Sequence, residues 1–264
     1  MTGKILLKDQ LFNAETVGQL AQEYAAALPF FEAERFQRDA LAGFAERELM
    51  ARLDWLADCA GAQLSTNFPE MAEQLEAALP PPLDPALKDD DFGQFIHAVP
   101  GILAVRHGLE KYRARAMKLI YATTQRFSME FYIRPFLNRW PAETLAALAV
   151  WAEDDNYHVR RLVSEGTRPK LPWARAVSLS PGQTLPLLDR LSADPARFVT
   201  RSVANHLNDM SKTDADLVVA RLKAWAEAAD QDPRELAWMT RHALRTAVKS
   251  GHPGALLALG YRQE

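Results

Sequence analysis

The sequence predicts an all-α chain, a solenoid of stacked helix pairs, on three observations. Apolar residues recur at spacings of three and four along most of the chain, no stretch alternates as a strand does, and a repeat of 40 residues runs through the second half. The first helices read clearly. ETVGQLAQEYAAAL (15–28), FQRDALAGFAERELMARLDWLADCA (36–60) and FPEMAEQLEAAL (68–79) are dominated by Ala, Leu, Glu and Gln, which lose little freedom on entering a helix. LPPPLDPALKDDDFG (79–93) cannot continue one, because three successive prolines remove N–H donors and three successive aspartates repel. That stretch is expected to set off residues 1–93, as an N-terminal helical cap, from residues 94–264, which carry the repeats and their groove.

The repeat appears when TLAALAVWAED (144–154) is set over TLPLLDRLSAD (184–194). Thr144 falls on Thr184, Leu145 on Leu185, Leu148 on Leu188 and Asp154 on Asp194. The register continues into the following helix, with Val159 on Val199, Arg161 on Arg201 and Val163 on Val203, and one more step reaches Arg241. A period near 40 made of helix, turn and helix is the signature of HEAT-like repeats, an α-α superhelix whose second helices line a concave groove. An earlier unit fits at an offset of 35, placing Arg126 and Glu130 over Arg161 and Glu165.

Four second helices are thus expected to carry an arginine with a partner four residues on: Arg126 with Glu130, Arg161 with Glu165, Arg201 with Asn205, and Arg241 with Arg245. Residues four apart share a helix face. Two readings stand for this column. It is either a set of structural ion pairs, with Asp154 and Asp194 as further partners, or a row of cations facing phosphate. The partner changes from Glu to Asn to Arg while the arginine stays, which favours phosphate.

Bulk properties bound the rest. The 264 residues are 48% hydrophobic and 25% charged, ordinary for a globular chain able to bury a sizeable core. The lone cysteine, Cys59, excludes an internal disulfide and reads as a small buried hydrophobe. The start, MTGKILLKDQLF, holds no apolar signal segment, and no run of about 18 apolar residues follows, so a cytoplasmic location is expected. The formal net charge of −3 conceals a division: residues 1–100 hold 7 Lys and Arg against 17 Asp and Glu, and residues 101–264 hold 24 against 17. A basic half beside an acidic one suits a polyanion-binding face.

HVRRLVSEGTRPKLPW (158–173) and RSVANHLNDMSK (201–212) closely resemble the AlkC branch of the AlkC/AlkD-type alkylpurine DNA glycosylases. RFSMEFYIRPFL (126–137), WMTRHALRTAVKSGHPGAL (238–256) and the LALGY tail support the match, which covers most of residues 100–261. The resemblance implies a HEAT-like solenoid gripping damaged duplex DNA, a monofunctional base-excision enzyme removing cationic bases such as 3-methyladenine, and chemistry without full base flipping. Nucleoid association when bound to DNA is expected, as is a monomer, since nothing in the sequence demands a dimer. The chain ends soon after Gly260, so the immunoglobulin-like domain of some relatives is not expected.

Carried over residue by residue, the catalytic candidates are Glu130, Glu165 and Asp209, with Trp173 as an aromatic against the sugar or lesion. The chemistry agrees with the residue types. An alkylated cationic base is already a good leaving group, so catalysis mainly needs negative charge beside the sugar where an oxocarbenium-like ion develops. A carboxylate can also orient the attacking water, and no metal or cofactor is required. Structural alternatives remain: Glu165 pairing Arg161, Asp209 pairing Lys212, and Trp173 in the core. Arg126, Arg161, Arg168, Lys170, Arg201, Asn205, Arg241, His242, Arg245 and Lys249 are the expected DNA contacts, positioning the backbone without reading sequence. The histidines His158, His206 and His242 lack metal-binding spacing and read as orienting groups, and Trp151 and Trp225 as core. A catalytically silent scaffold and a nonspecific nucleic-acid binder are the alternatives to an enzyme.

Overall fold

The computed structural model describes residues 6–87 and 92–261, and fifteen α-helices lie among them. The pairing of extended backbone among the described residues is an isolated bridge between Gly93 and Phe127. The chain forms two compact units, residues 6–84 with 92–136 and residues 85–87 with 137–261. The proline-rich stretch is non-helical from Leu79 to Leu87, as its prolines require. Residues 94–136 nevertheless pack with the first unit, so the chain divides in space near Phe136 and not at the prolines. The triple aspartate of that stretch, residues 89–91, lies outside the described residues, as does the start of the chain, residues 1–5.

The first unit contains α1 (Leu7–Leu11), α2 (Ala14–Ala27), α3 (Ala33–Ala42), α4 (Leu49–Gly61), α5 (Phe68–Ala77), α6 (Val99–Leu103), α7 (Arg113–Thr124) and the start of α8 (Glu130–Arg139). Asn13 begins α2 with a reciprocal cap, accepting from the Thr16 N–H while the Thr16 hydroxyl accepts from its own. Its core is aromatic at one end, where Tyr24, Phe31 and Phe36 meet with ring centres 5.1 to 6.5 Å apart. Cys59 is buried and its thiol is pushed up to about 11 by burial and by the charges of Asp39 and Asp58.

The second unit holds the repeat: α9 (Pro141–Trp151) with α10 (Tyr157–Gly166), α11 (Pro181–Leu191) with α12 (Arg197–Ser211), and α13 (Ala215–Ala228) with α14 (Pro233–Lys249), followed by α15 (Pro253–Ala258). Within it α12 packs against both α10 and α14, while α9, α11 and α13 form a second layer, each against its own partner. This is the HEAT-like arrangement that the 40-residue register requires. Register and burial agree: Leu148 and Leu188, Val159 and Val199, and Val163 and Val203 are all fully buried. Each such side chain contributes about 1.5–3 kcal/mol by leaving water.

Turn chemistry fixes the entry of each second helix. Asn156 accepts from the His158 N–H at the start of α10. Asp194 accepts from the Ala196 N–H ahead of α12, and Asp232 accepts from Arg234 and Glu235 to open α14 behind Pro233. Asp194 has a second task. The Arg160 guanidinium donates to both of its oxygens, at 2.5 and 3.0 Å, while its remaining group donates to the Asp154 and Asp155 carbonyls. The arginine that ties one repeat to the next turn is therefore Arg160, one position before the column. Forty residues on, the Thr200 hydroxyl plays the same part with Glu235.

Candidate active site

Glu165 sits in the last turn of α10 and is 5% exposed; Asp209 sits in the last turns of α12 and is 6% exposed. Both belong to second helices of successive repeats. A side chain so acidic is tolerated there only with partners, because an uncompensated buried charge costs several kcal/mol. The partners converge. Arg168, in the turn after α10, donates from Nη1 to Glu165 Oε1 at 2.6 Å and from Nε to Asp209 Oδ2 at 2.9 Å, with Nη2 also 2.9 Å from that oxygen. The Ser202 hydroxyl of α12 donates to the other Glu165 oxygen at 2.6 Å. Lys212 donates to Asp209 Oδ1 at 2.8 Å.

Burial alone pushes the Glu165 carboxyl up, but the Arg161 and Arg168 charges and the Ser202 and Arg168 hydrogen bonds outweigh it and hold it below the usual carboxylate range. Arg161 reaches Glu165 at 3.9 Å and lies over the Phe198 ring, 4.2 Å from its centre. His206 is fully buried one helical turn before Asp209. Its Nδ1 faces the Ser164 carbonyl at 3.1 Å, and Nε2 has no hydrogen-bond partner among the described residues. Burial pushes this imidazole down to about 4, so it is neutral at pH 7.

A second cluster joins α12 to α14. Asn205 Oδ1 lies 2.8 Å from Nε2 of His242 and accepts from Arg245 Nη2 at 3.0 Å. His242 stacks on Trp238 with ring centres 4.8 Å apart, and the Arg197 guanidinium lies 3.4 Å from the centre of the Trp238 ring. Arg197 is paired with Glu235. Burial, then the charges of Arg245, Arg197, Arg201 and Arg168, push His242 down to about 4. The field at this polar face is strongly positive.

The structure thus gathers Arg161, Glu165, Arg168 and Asp209 into one cluster, and Asn205, His242 and Arg245 into another. Arg201 is half-buried on α12 beside the Phe198 ring, 5.4 Å from its centre. Lys170 and Lys249 are exposed, and Trp173 is 69% exposed with a φ of 62°. Trp173 is therefore not a core residue. Trp225 is buried, its indole donating to Asp189, and Trp151 is half-buried. Glu130 is half-buried in the first turn of α8, in the first unit.

Three expectations from the spacing are corrected. Arg126 and Glu130 do not share a helix, because α8 begins at Glu130 and residues 125–129 form a turn. The bridge to Gly93 holds that turn; Gly93 has a φ of +70°, and a Cβ there would meet the Arg126 carbonyl at 1.9 Å. The Arg126 side chain instead donates to the Pro80 and Ala122 carbonyls. Arg168, expected at phosphate, donates here to both carboxylates. Asn205 bonds to α14 and not to Arg201, while Arg241 has no partner among the described residues and lines a cavity of about 500 Å³ with Ala226, Ala229, Leu236 and Leu259. Spacing missed Ser202, Arg197 and Trp238. Their roles arise from contacts across 37 to 41 residues, which one helix's periodicity does not reveal.

A two-layered helical-repeat unit with carboxylates clasped by arginine beside a cationic polar face defines a class of protein, and comparisons give it a family. The sequence model described as DNA alkylation repair enzyme matches residues 122–250. YhaZ, an uncharacterized protein of Bacillus subtilis strain 168, is 32% identical over 260 residues, covering 96% of this chain and 68% of that protein. Among solved structures, the Pseudomonas fluorescens alkylpurine DNA glycosylase AlkC, bound to DNA containing an abasic site analog, matches with a TM-score of 0.83 and 33% identity, over 98% of this chain and 69% of that one. The chain belongs to the DNA alkylation repair enzyme family. No helix among the described residues is long and apolar enough to cross a membrane.

Proposed function

We propose that this protein is a monofunctional DNA glycosylase that hydrolyses the N-glycosidic bond of cationic N-alkylated bases such as 3-methyladenine in duplex DNA, without extruding the base fully into a pocket. Family membership and the likeness to a DNA-bound alkylpurine glycosylase support the reading. The observation that carries it is the pair Glu165 and Asp209, two buried carboxylates from successive repeats, each clasped by cations.

The chemistry follows from that charge. As the bond to a cationic base lengthens, positive charge moves from the base to the sugar, and a fixed anion nearby stabilises it without reorganising. Glu130, Glu165 and Asp209 are the proposed catalytic groups, one of them orienting the attacking water. The exposed Trp173 indole offers a flat apolar face to sugar or lesion. Arg201, Asn205, His242, Arg245, Lys170 and Lys249 hold the backbone through positive field and hydrogen bonds, a form of binding that carries little base-sequence preference.

The test is base release from methylated duplex DNA. Free 3-methyladenine appearing well above the spontaneous rate is the expected result. Release at the spontaneous rate, with duplex binding retained, would make the protein a nucleic-acid-binding scaffold.

A further inference from the structure

Arg168 does something that the phosphate-binding reading of the sequence does not contain. Its planar guanidinium has two edges; Nε and Nη2 face Asp209, while Nη1 faces Glu165. The side chain is 13% exposed, so these bonds form largely out of water, where geometry matters most. Glu165 belongs to one repeat and Asp209 to the next, and Arg168 comes from the turn between α10 and α11. Ser202 fixes the second Glu165 oxygen and Lys212 the second Asp209 oxygen, so every carboxylate oxygen of the pair has a donor.

We propose that Arg168 is a positioning residue, whose guanidinium holds the Glu165 and Asp209 carboxylates at fixed places for the departing base and makes no phosphate contact. This rests on the glycosylase reading above. Two unneutralised carboxylates on adjoining helices repel, and one then swings away or takes a proton. A lysine cannot replace the clasp, because an ammonium is a point donor without the fork that spans both acids. The groups facing Glu165 are Arg161 on its own helix, Arg168 on the turn after it, and Ser202, His206 and Asp209 from α12; α9 and α11 bury Leu148, Leu185 and Leu188.

The experiment compares wild type, R168M and R168K by single-turnover base release across pH, by affinity for an abasic-analogue duplex at several salt concentrations, and by carboxyl-carbon NMR titration of Glu165 without DNA. R168M is expected to lose roughly 100-fold in release at saturating enzyme, the scale of a misplaced catalytic group. Its affinity and salt slope should stay close to wild type, and its Glu165 midpoint should move up. R168K should recover only part of the rate. Wild-type release and pH profile in folded R168M overturn the proposal, as does a loss of affinity accompanied by a salt slope lower by about one. If R168M does not fold, R168K decides: a full wild-type rate overturns the proposal. Should wild type release no base, the glycosylase reading falls alone, and the Glu165 titration still decides whether Arg168 sets that carboxylate's charge.

Discussion

Asn205 on α12 and His242 on α14 face each other across 2.8 Å, side-chain oxygen to ring Nε2. Arg245, which can only donate, reaches the same oxygen at 3.0 Å, so the amide orientation is fixed: oxygen toward α14, NH2 away from it. His242 then carries its proton on Nε2. The Asn205 NH2 has no partner among the described residues, and the residue is half-buried, so under the proposed function it is a donor for an acceptor on DNA. Asn205→Ala should weaken binding of an abasic-analogue duplex about tenfold, the value of one lost hydrogen bond. Fluorescence anisotropy checks this, and unchanged affinity would remove Asn205 from the interface.

Under the proposed function, the carboxylates separate chemistry from binding. Glu130→Gln and Asp209→Asn should each lower single-turnover release at least about 100-fold while leaving duplex affinity within a few-fold, because the missing charge acts mainly in the transition state. Asp209→Asn also leaves Arg168 and Lys212 with less compensation, so its melting temperature should fall as well. Equal release by both variants and wild type would sink these assignments.

Trp173 holds a left-handed backbone conformation that favours glycine, and its indole is exposed. Trp173→Gly should therefore leave stability unchanged or raise it by up to about 1 kcal/mol, since the left-handed strain is relieved. The same variant should release base more slowly. A drop in melting temperature without a drop in rate would mark the indole as a packing element.

His206 gives stability a pH dependence of known sign. Its folded pKa of about 4 lies below the ordinary value of 6.5, so the unfolded chain binds the extra proton first. The stability is fully present above pH 6.5 and is lost as pH falls toward 4, on the order of 3 kcal/mol for this fully buried group. His242 acts in the same direction, and Glu165, held low, adds a loss only at still lower pH. Urea midpoints at pH 7 and pH 5 test the point. His206→Gln should flatten the difference, and an unaltered pH dependence would show that other groups carry it.

Arg160 and Arg161 are neighbours that face different carboxylates, Asp194 and Glu165. Arg160→Met should cost about 3 kcal/mol, because the Asp194 carboxylate stays buried without its cation. Release per folded molecule should not change. Arg161→Met should reverse the pattern, with a modest stability loss and a slower reaction. Calorimetry beside the release assay reads both.

Much of this was legible in the sequence, and the reasons are physical. A 40-residue register survives in the pairs Leu148 and Leu188 or Val163 and Val203 because each repeat buries the same stripe, and burial tolerates few residue types. Glu165 was visible through its spacing from Arg161, and both it and Asp209 through resemblance. The arginine column was only partly legible. Arg126 fell out because a glycine-dependent turn, set by contacts to residues 80 and 93, ended its helix early. Arg160 was overlooked beside Arg161, since the residue that reaches the next turn is chosen by the crossing of two helices and not by spacing along one. Arg168 was assigned to phosphate from its place in a basic loop; the carboxylates it meets lie 3 and 41 residues away.

Repetitive proteins commonly gain or lose whole modules with little harm, since each unit meets only the next. The seam from Arg168 to Asp209 denies this chain that freedom at one place. Splicing a module between α10 and α12 would strand each acid with half a clasp, so growth of the array is closed at this seam.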